Sequence, residues 1–454
     1  MKDVVFKRKM YAQMLRWKQE KNGKSALLIK GARRVGKSTI AEEFARNEYE
    51  SYIVIDFAIA SKEVNRLFED MMNLDFFFLR LQQIYMVTLK ERKSVIVFDE
   101  VQLQPLARQA IKYLVKDGRY DYIETGSLLS IKKNVKDIVI PSEETRMTLF
   151  PLDYEEFRWA LGDEVTMRLI RQNYEKLLPL GDAAHRKLMR DFRLYMLVGG
   201  MPQAVNTYLT TNNLLEVDRV KREILDLYED DFRKIDPTGR ASRLFSAIPS
   251  QLTKNASRYT IQSVLEKGRL EQVETVIADM EDSMTVSMAY HANDPSVGMN
   301  LHKDMQRYKM FIADTGLFVT LAFKDKDFTE NVIYDKLLSD KLAADLGYVY
   351  ENVVAQMLKS LGYELYYYTF PTESGKHNYE IDFLIAKGVK ICPIEVKSSG
   401  YKSHVSIDAF SKKFSGRVQN QYLVYTKDLR TENDLICLPV YLVPLIGGKK
   451  EMPT

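Results

Sequence analysis

The segment SALLIKGARRVGKSTIAEEFA (residues 25–45) has an apolar run followed by a loop and then a helical pattern. The loop carries glycine, lysine and serine at a characteristic spacing. Gly31, Gly36, Lys37 and Ser38 fit the order G-x-x-x-x-G-K-S of a phosphate-binding loop. In such a loop, backbone N–H groups close on phosphates at the positive end of a helix. We expect Lys37 to reach the β- and γ-phosphates and the Ser38 hydroxyl to bind Mg²⁺. The predicted nucleotide-binding residues of this loop are Gly31, Arg34, Gly36, Lys37, Ser38 and Thr39.

A second acidic segment completes this chemistry. KSVIVFDEVQ (residues 93–102) has four apolar residues typical of a buried parallel strand, followed by Asp99 and Glu100. We expect Asp99 to hold the Mg²⁺ shell and Glu100 to activate the attacking water. An adjacent acidic pair favours an ATP-hydrolysing motor or switch over a signalling GTPase. The next strand ends in ETGS, where Thr125 is placed to sense the γ-phosphate.

Two acids and a lysine lie close together near the end of the chain, in IDFLIAKGVKICPIEVKSSG (residues 381–400). Glu395 and Lys397 are two apart on one predicted strand and therefore point to the same face, and Asp382 is predicted on the adjacent antiparallel strand. With Glu351 from a preceding helix, these carboxylates would bind a second divalent metal, and Lys397 would stabilise a phosphate or orient water. Alone, the Glu-x-Lys pair would be an ordinary solvated charge pair. The full order of four residues resembles the PD-(D/E)XK nuclease fold.

These assignments give two sets of residues. The predicted metal ligands are Ser38, Asp99, Glu351, Asp382 and Glu395. The predicted catalytic residues are Lys37, Glu100, Asp382, Glu395 and Lys397.

Composition limits the class of protein. The chain of 454 residues predicts several domains, and its net charge of +4 indicates that any nucleic-acid surface is local rather than global. The two cysteines, Cys392 and Cys437, stand in apolar runs, which argues against a zinc site or a disulfide framework. We find neither a signal-peptide pattern nor an apolar run of about eighteen residues, so we predict a cytoplasmic protein with no membrane partner.

Several segments resemble a known family. GARRVGKST, VIVFDEVQ, LFPLDYEEF, VGGMPQAV and YKMFIADTGL are similar to landmarks of bacterial and archaeal AAA-type ATPases in which an uncharacterised C-terminal domain follows the ATPase. The likeness spans nearly the whole chain. PLDYEEF and GGMP are the more family-specific motifs, but no chemistry follows from them. Arg146 matches an arginine frequent in this family, and it would either contact phosphate or cap a surface strand, the second being favoured.

The predicted fold class is α/β, in four domains. A P-loop ATPase core with a parallel sheet is predicted for residues 1–150, and a helical lid for residues 151–235. The resemblance implies a winged-helix-like domain at residues 236–330. A restriction-endonuclease-like α/β domain is predicted for residues 331–454.

Two functions remain open from the sequence. The first is Mg²⁺-dependent ATP hydrolysis coupled to a C-terminal nuclease-like domain, with DNA as a candidate substrate. The alternative is an ATP-operated switch or scaffold whose C-terminal domain is a catalytically silent binding module. ATP and Mg²⁺ are the expected cofactors under both, and a homo-oligomer or a protein partner is compatible with both. The residues that discriminate between them are Glu351, Asp382, Glu395 and Lys397.

Overall fold

The computed structural model describes residues 4–69, 71–127, 138–253, 258–265, 270–324, 338, 347–399, 401 and 403–447. The chain divides into two compact units, residues 1–150 with 278–284 and residues 151–277 with 285–454. In the described part of the chain, no helix is both long and apolar enough to cross a membrane.

The first unit alternates strands and helices. Its strands are β1 (Ala26–Lys30), β2 (Ser51–Asp56), β3 (Ser94–Asp99), β4 (Asp121–Gly126) and β5 (Glu144–Thr148). Its helices include α1 (Lys9–Lys21), α2 (Lys37–Glu48), α3 (Lys62–Leu67), α4 (Leu74–Tyr85) and α5 (Pro105–Asp117). The five strands form a parallel sheet in the order β2-β3-β4-β1-β5, which confirms the predicted parallel α/β sheet.

Both faces of this sheet are covered. On one face, rings from β3 and the neighbouring helices pack edge to face, with Phe68 5.3 Å from Phe77 and 5.6 Å from Phe98 between ring centroids. On the other face, Phe44 of α2 packs in a cluster with Val97 of β3. Burial on both sides explains why β3 is an uninterrupted apolar run. Because the strands are parallel, the loops that follow β1, β3 and β4 emerge at the same edge of the sheet.

The second unit begins with helices. Their bounds are α6 (Tyr154–Ala160), α7 (Thr166–Glu175), α8 (Asp182–Val198), α9 (Pro202–Thr211), α10 (Leu214–Ile235), α11 (Arg240–Ser246) and α12 (Ile248–Thr253), and α13 (Leu270–Asp282) continues into the first unit. The PLDYEEF motif starts α6 with a capping box. Asp153 accepts a hydrogen bond from Glu156 N at 2.9 Å, and Glu156 accepts one from Asp153 N at 3.2 Å. Part of this motif therefore serves to begin a helix.

A mixed sheet of eight strands forms the rest of this unit. Its strands are β6 (Val286–Ala292), β7 (Lys303–Ile312), β8 (Leu365–Pro371), β9 (Asn378–Lys387), β10 (Lys390–Val396), β11 (Gln421–Tyr425), β12 (Arg430–Glu432) and β13 (Leu435–Pro439), in the order β12-β13-β11-β10-β9-β8-β6-β7. The accompanying helices include α14 (Thr315–Ala322), α15 (Gly347–Ser360) and α16 (Val405–Lys413). β6 and β7 belong to the segment for which a winged-helix-like domain was predicted. Since β6 pairs with β8 in parallel, this segment shares one sheet with the C-terminal strands.

The VGGMP and IADTG motifs meet in what we call the glycine junction, formed by Gly199, Gly200, Asp314 and Gly316. Asp314 is buried and accepts hydrogen bonds from Gly200 N at 2.6 Å and from Leu317 N at 2.9 Å, the second capping α14. A Cβ atom on Gly199 would lie 3.0 Å from the Cα of Gly316, so the two backbones touch. The motifs are therefore explained by a close backbone contact.

A buried lysine on α10 lies under this junction. Lys221 donates hydrogen bonds to the carbonyl oxygens of Leu197, at 2.7 Å, and Gly316, at 3.3 Å. Burial lowers the pKa of Lys221 to about 8, and the charges of Asp218 and Asp314 oppose that shift. The Asp314 carboxylate and the Lys221 ammonium thus each reduce the cost of burying the other's charge.

Two amides on α15 tie this helix to the same region. Asn352 accepts a hydrogen bond from Ile312 N at 2.8 Å and donates one to Ile312 O at 3.0 Å. Gln356 accepts from Thr315 N at 2.8 Å and donates to the Tyr195 hydroxyl at 3.0 Å. The position of α15, which carries Glu351, is therefore fixed by the end of β7, the start of α14 and helix α8.

We predict that Asp314→Ala lowers the free energy of unfolding of the second unit by about 2–4 kcal/mol, because two buried N–H groups lose their acceptor and the buried ammonium of Lys221 loses a nearby opposite charge. Urea denaturation followed by circular dichroism measures the change. Asp230→Ala is the matched control, since that aspartate lies on α10 with an exposed side chain. Equal unfolding midpoints for the two variants would contradict the role of Asp314.

Candidate functional site

The loop between β1 and α2 has the backbone that its glycines predict. Arg34 and Gly36 both have a positive φ, of 67° and 97°, and Gly36 begins α2. A Cβ atom on Gly31 would collide with the carbonyl oxygen of Leu149, so this position also excludes a side chain. These glycines therefore allow the backbone of the loop to run directly into the first turn of α2.

The lysine of this loop is turned inwards. Lys37 is 5% exposed, and its Nζ donates hydrogen bonds to the carbonyl oxygens of Gly31, at 3.0 Å, and Ala32, at 2.9 Å. Arg8, which the sequence did not single out, donates to the carbonyl oxygen of Val35 at 3.2 Å and supports the loop from α1's N-terminal side. Thr39 lies exposed in the first turn of α2.

Three side chains converge at the carboxyl edge of the parallel sheet. Ser38 Oγ donates a hydrogen bond to Asp99 Oδ1 at 2.8 Å, and the Thr125 hydroxyl donates to the same oxygen. Asp99 ends β3 and Thr125 stands near the end of β4, so the topology brings both to the start of α2. The structure thus places the two predicted magnesium ligands and the predicted γ-phosphate sensor in direct contact.

Glu100 has a left-handed backbone, with φ of 54°. Its carboxylate accepts a hydrogen bond from the Gln102 side chain, and its N–H donates to Thr125 Oγ1 at 3.4 Å. A non-glycine residue in this conformation is unfavourable and is often found at functional sites. The strained backbone at Glu100, directly after β3, fixes the direction of the Glu100 side chain.

Arg146 lies on β5 at the edge of the sheet. Its side chain is 55% exposed and its Nε lies 3.4 Å from a carboxylate oxygen of Glu144. Arg108 of α5 binds the same carboxylate through two hydrogen bonds, of 3.0 and 3.2 Å. In the structure, Arg146 is therefore a residue of a surface strand with an ion-pair partner.

The C-terminal acids lie on neighbouring strands. β9 and β10 pair antiparallel, with Phe383 opposite Ile394, so Asp382 and Glu395 occupy adjacent strands as predicted. Lys397 directly follows β10 and its Nζ lies 3.1 Å from Glu395 Oε1. Burial raises the pKa of Glu395, and the charge of Lys397 opposes that shift.

Asp382 belongs to a different group of charges, which we call the acid pocket: Glu351, Glu380, Asp382 and Lys309. Lys309 Nζ lies 2.5 Å from Glu380 Oε1 and 3.6 Å from Glu351 Oε2. Asp382 Oδ2 accepts a hydrogen bond from Val396 N at 2.7 Å. The three carboxylates and the ammonium come from α15, β9 and β7.

Burial is the largest single influence on the pKa values of Asp382, Glu351 and Lys309 in the acid pocket. Burial raises the pKa of Asp382 well above its usual value, and the charge of Glu351 adds to the shift. Burial likewise raises the pKa of Glu351, against the opposing charge of Lys309. Burial lowers the pKa of Lys309, but the three neighbouring carboxylates outweigh it and the pKa is raised overall.

Sequence reasoning missed Lys309 and Glu380. Glu380 stands two residues before Asp382 on β9, a spacing that places both on one face and was a usable signal. Lys309 is the single lysine in the run YKMFIADTGL, and its partners are more than forty residues away, so no local pattern marks it. Only the folded sheet shows that Lys309 and Glu380 form an ion pair.

The predicted second metal site has no ligand group in the structure. Among the described residues, no three His, Cys, Asp or Glu side chains are arranged to hold a metal ion. The physical reason is that two of the candidate ligands are already paired with cations. Glu395 pairs with Lys397, whereas Glu351 pairs with Lys309.

Family models match three parts of the chain. Residues 23–158 match an AAA domain. Residues 189–327 match a domain of unknown function, DUF8612, and residues 346–443 match another, DUF4143. None of the curated proteins matches the chain.

Three solved structures are similar to this chain at low identity. A Walker-type ATPase of Pyrococcus abyssi is 15% identical, with a TM-score of 0.43, over 70% of this chain and 97% of its own. The Aeropyrum pernix ORC1 protein, in complex with DNA, is 13% identical, with a TM-score of 0.29, over 74% and 93%. Cdc6p of Pyrobaculum aerophilum is 12% identical, with a TM-score of 0.28, over 76% and 98%.

The domain match and the geometry of the site lead to the same conclusion. The matched segment contains the phosphate-binding loop, the acidic end of β3 and the threonine of β4 on one parallel sheet. Residues 23–158 therefore match an AAA domain and contain the elements of a phosphate-binding loop site.

Proposed function

We propose that the AAA domain binds ATP together with Mg²⁺ and hydrolyses it. The observation that carries this proposal is the contact of Ser38 Oγ with Asp99 Oδ1 at 2.8 Å, joined by the Thr125 hydroxyl. A hydroxyl and a carboxylate are the oxygen ligands that Mg²⁺ prefers next to nucleotide phosphates. When bound, Mg²⁺ would neutralise charge that develops on the phosphates.

The residues of the loop have distinct roles in this proposal. Backbone N–H groups at the start of α2 bind phosphate, with the positive end of the helix behind them. Lys37 exchanges its two carbonyl partners for β- and γ-phosphate oxygens, and Arg34 adds an exposed positive charge beside them. Gly31 and Gly36 keep the backbone accessible, and Thr39 contributes from the first turn of α2.

Glu100 acts on water in this proposal. It stands beside the metal ligand Asp99, and the strained backbone at Glu100 sets the direction of its carboxylate. That carboxylate orients the attacking water and accepts its proton. Thr125 contacts both Asp99 and the Glu100 backbone, which suits a residue that reports the presence of the γ-phosphate.

Lys37→Ala is expected to weaken ATP binding by about tenfold or more, since the charge on the phosphates is lost. Isothermal titration calorimetry with Mg²⁺ and ATP measures the affinity. Lys62→Ala, an exposed lysine of α3 in the same unit, is the control and should bind as the parent does. Unchanged affinity of the Lys37 variant would refute the phosphate-binding role.

Glu100→Gln should bind ATP normally but hydrolyse it about 10²–10⁴-fold more slowly, because only the proton-accepting group changes. Phosphate release under saturating ATP measures turnover. Glu42→Gln, on the exposed face of α2, controls for the loss of one surface carboxylate. If Glu100→Gln turns over at the parent's rate, Glu100 is not the residue that activates water.

For the C-terminal domain, we propose that it binds a partner without cutting nucleic acid, so that the chain works as an ATP-operated switch. The supporting observation is that Glu351 and Glu395 each have a lysine partner. The nuclease hypothesis, with DNA as substrate, is supported by the adjacency of the Asp382 and Glu395 strands. It requires these carboxylates to exchange their lysines for a metal.

We expect no DNA cleavage that depends on Asp382. The assay incubates the full chain with plasmid and linear DNA, with Mg²⁺ or Mn²⁺, in the presence and absence of ATP. Asp382→Ala and Lys397→Ala, prepared identically, identify cutting by a contaminating nuclease, which both variants would retain. Metal-dependent cutting by the parent that both substitutions abolish would replace the switch proposal with the nuclease hypothesis.

A further inference from the structure

Lys309 lies inside the acid pocket. It is 6% exposed, although lysine is seldom buried without compensation. Its Nζ lies 2.5 Å from Glu380 Oε1 and 3.6 Å from Glu351 Oε2, and these acids belong to β9 and α15. One ammonium therefore bridges carboxylates from two separate elements.

The elements around this ammonium are fixed. Lys309 lies on β7 opposite Ala289 of β6, in the regular antiparallel part of the pairing. The ring centroid of Tyr367 is 5.5 Å from Nζ, within the range of a cation–π contact. On α15, Asn352 follows Glu351 and holds both backbone groups of Ile312 at the end of β7. The ion pair of Lys309 with Glu351 therefore joins β7 and α15, which these hydrogen bonds already attach to each other.

A divalent ion would need the space that this ammonium takes. Carboxylate oxygens that bind Mg²⁺ or Ca²⁺ lie about 2.0–2.6 Å from a common point between them. In the acid pocket, the point between Glu380 and Glu351 is occupied by a lysine nitrogen. An ammonium and a metal ion at the same point would repel each other in a buried site with little screening.

We propose that the Lys309 ammonium is the resident cation of the acid pocket and excludes a divalent metal from Glu351, Glu380 and Asp382. This inference rests on the proposal that the C-terminal domain does not cut, and it supplies the reason. Lys309 lies in the segment that matches DUF8612, whereas the three acids lie in the DUF4143 segment. The specificity of the pocket is therefore set by a residue from outside the matched domain that supplies the acids.

The test counts bound Mn²⁺ by electron paramagnetic resonance in nucleotide-free full-length protein. All proteins carry Asp99→Asn, which removes the metal ligand of the ATPase domain. The parent is compared with Lys309→Met, which keeps the length of the side chain without its charge, and with Lys303→Met, a control lysine at the other end of β7. We expect no Asp382-dependent Mn²⁺ in the parent and the control. Lys309→Met should gain one Mn²⁺ per chain, with affinity at least about tenfold above the parent, and lose it when Asp382→Asn is added.

Two results would overturn the inference. One is Mn²⁺ binding by the parent that Asp382→Asn removes, and the other is a folded Lys309→Met protein that gains no site. Folding is checked by thermal unfolding, and Lys309→Gln, which removes the charge but keeps a polar group and all three carboxylates, serves if the methionine variant does not fold. If neither variant folds, the measurement on the parent decides. A parent that binds Mn²⁺ but cuts no DNA would overturn this inference alone, whereas Asp382-dependent cutting would also overturn the proposed function.

Discussion

The carboxylate of Asp314 is shared by two backbone N–H groups from segments far apart in the chain, Gly200 and Leu317. Buried N–H groups without partners are costly, so the N–H of Gly200 in the turn after α8 is satisfied only when Asp314, which also caps α14, is in place. Lys221 supplies the opposite charge beneath them. Because α15 is hydrogen-bonded to the start of α14, which Asp314 caps, this carboxylate also contributes to the placement of Glu351.

The two acidic sites of the molecule differ in the charge of their partners. Asp99 receives hydrogen bonds from two hydroxyl groups, which leave its negative charge uncompensated and available to a cation. Glu380 and Glu395 each lie beside an ammonium group, which supplies the opposite charge. Similar carboxylates on neighbouring strands can therefore serve opposite purposes, as the proposed metal ligand in one unit and as a member of an ion pair in the other.

The features that could be predicted from the sequence are those determined by residues close together in the chain. The phosphate-binding loop, Asp99 and the parallel sheet follow from contiguous residues, since a loop that wraps phosphate uses its own backbone. Thr125 was located because strand order brings it to the same edge. The pairing of β6 with β8, and with it the extent of the C-terminal sheet, depends on hydrogen bonds between distant segments. For the same reason the partners of Lys309 could not be found from a local pattern.

The role of the glycine motifs likewise depends on contacts between distant segments. GGMP and IADTG were visible as motifs, but their meaning lies in an approach of Gly199 to Gly316 that only the folded chain shows. A sequence motif therefore need not mark a site of chemistry. Here it marks the place where helices of the second unit are fastened to its sheet.

The position of β6 and β7 in the eight-stranded sheet affects how this chain can be divided. A fragment that starts at residue 346, where the DUF4143 match begins, would end its sheet at β8 and leave that strand's backbone groups unpaired along one side. β8 has the sequence LYYYTFP, rich in residues that favour strand pairing, so the open edge would invite self-association. In the intact chain β7 forms that outer edge, and its partly exposed first half carries Lys303, Asp304 and Arg307, charges that discourage such pairing.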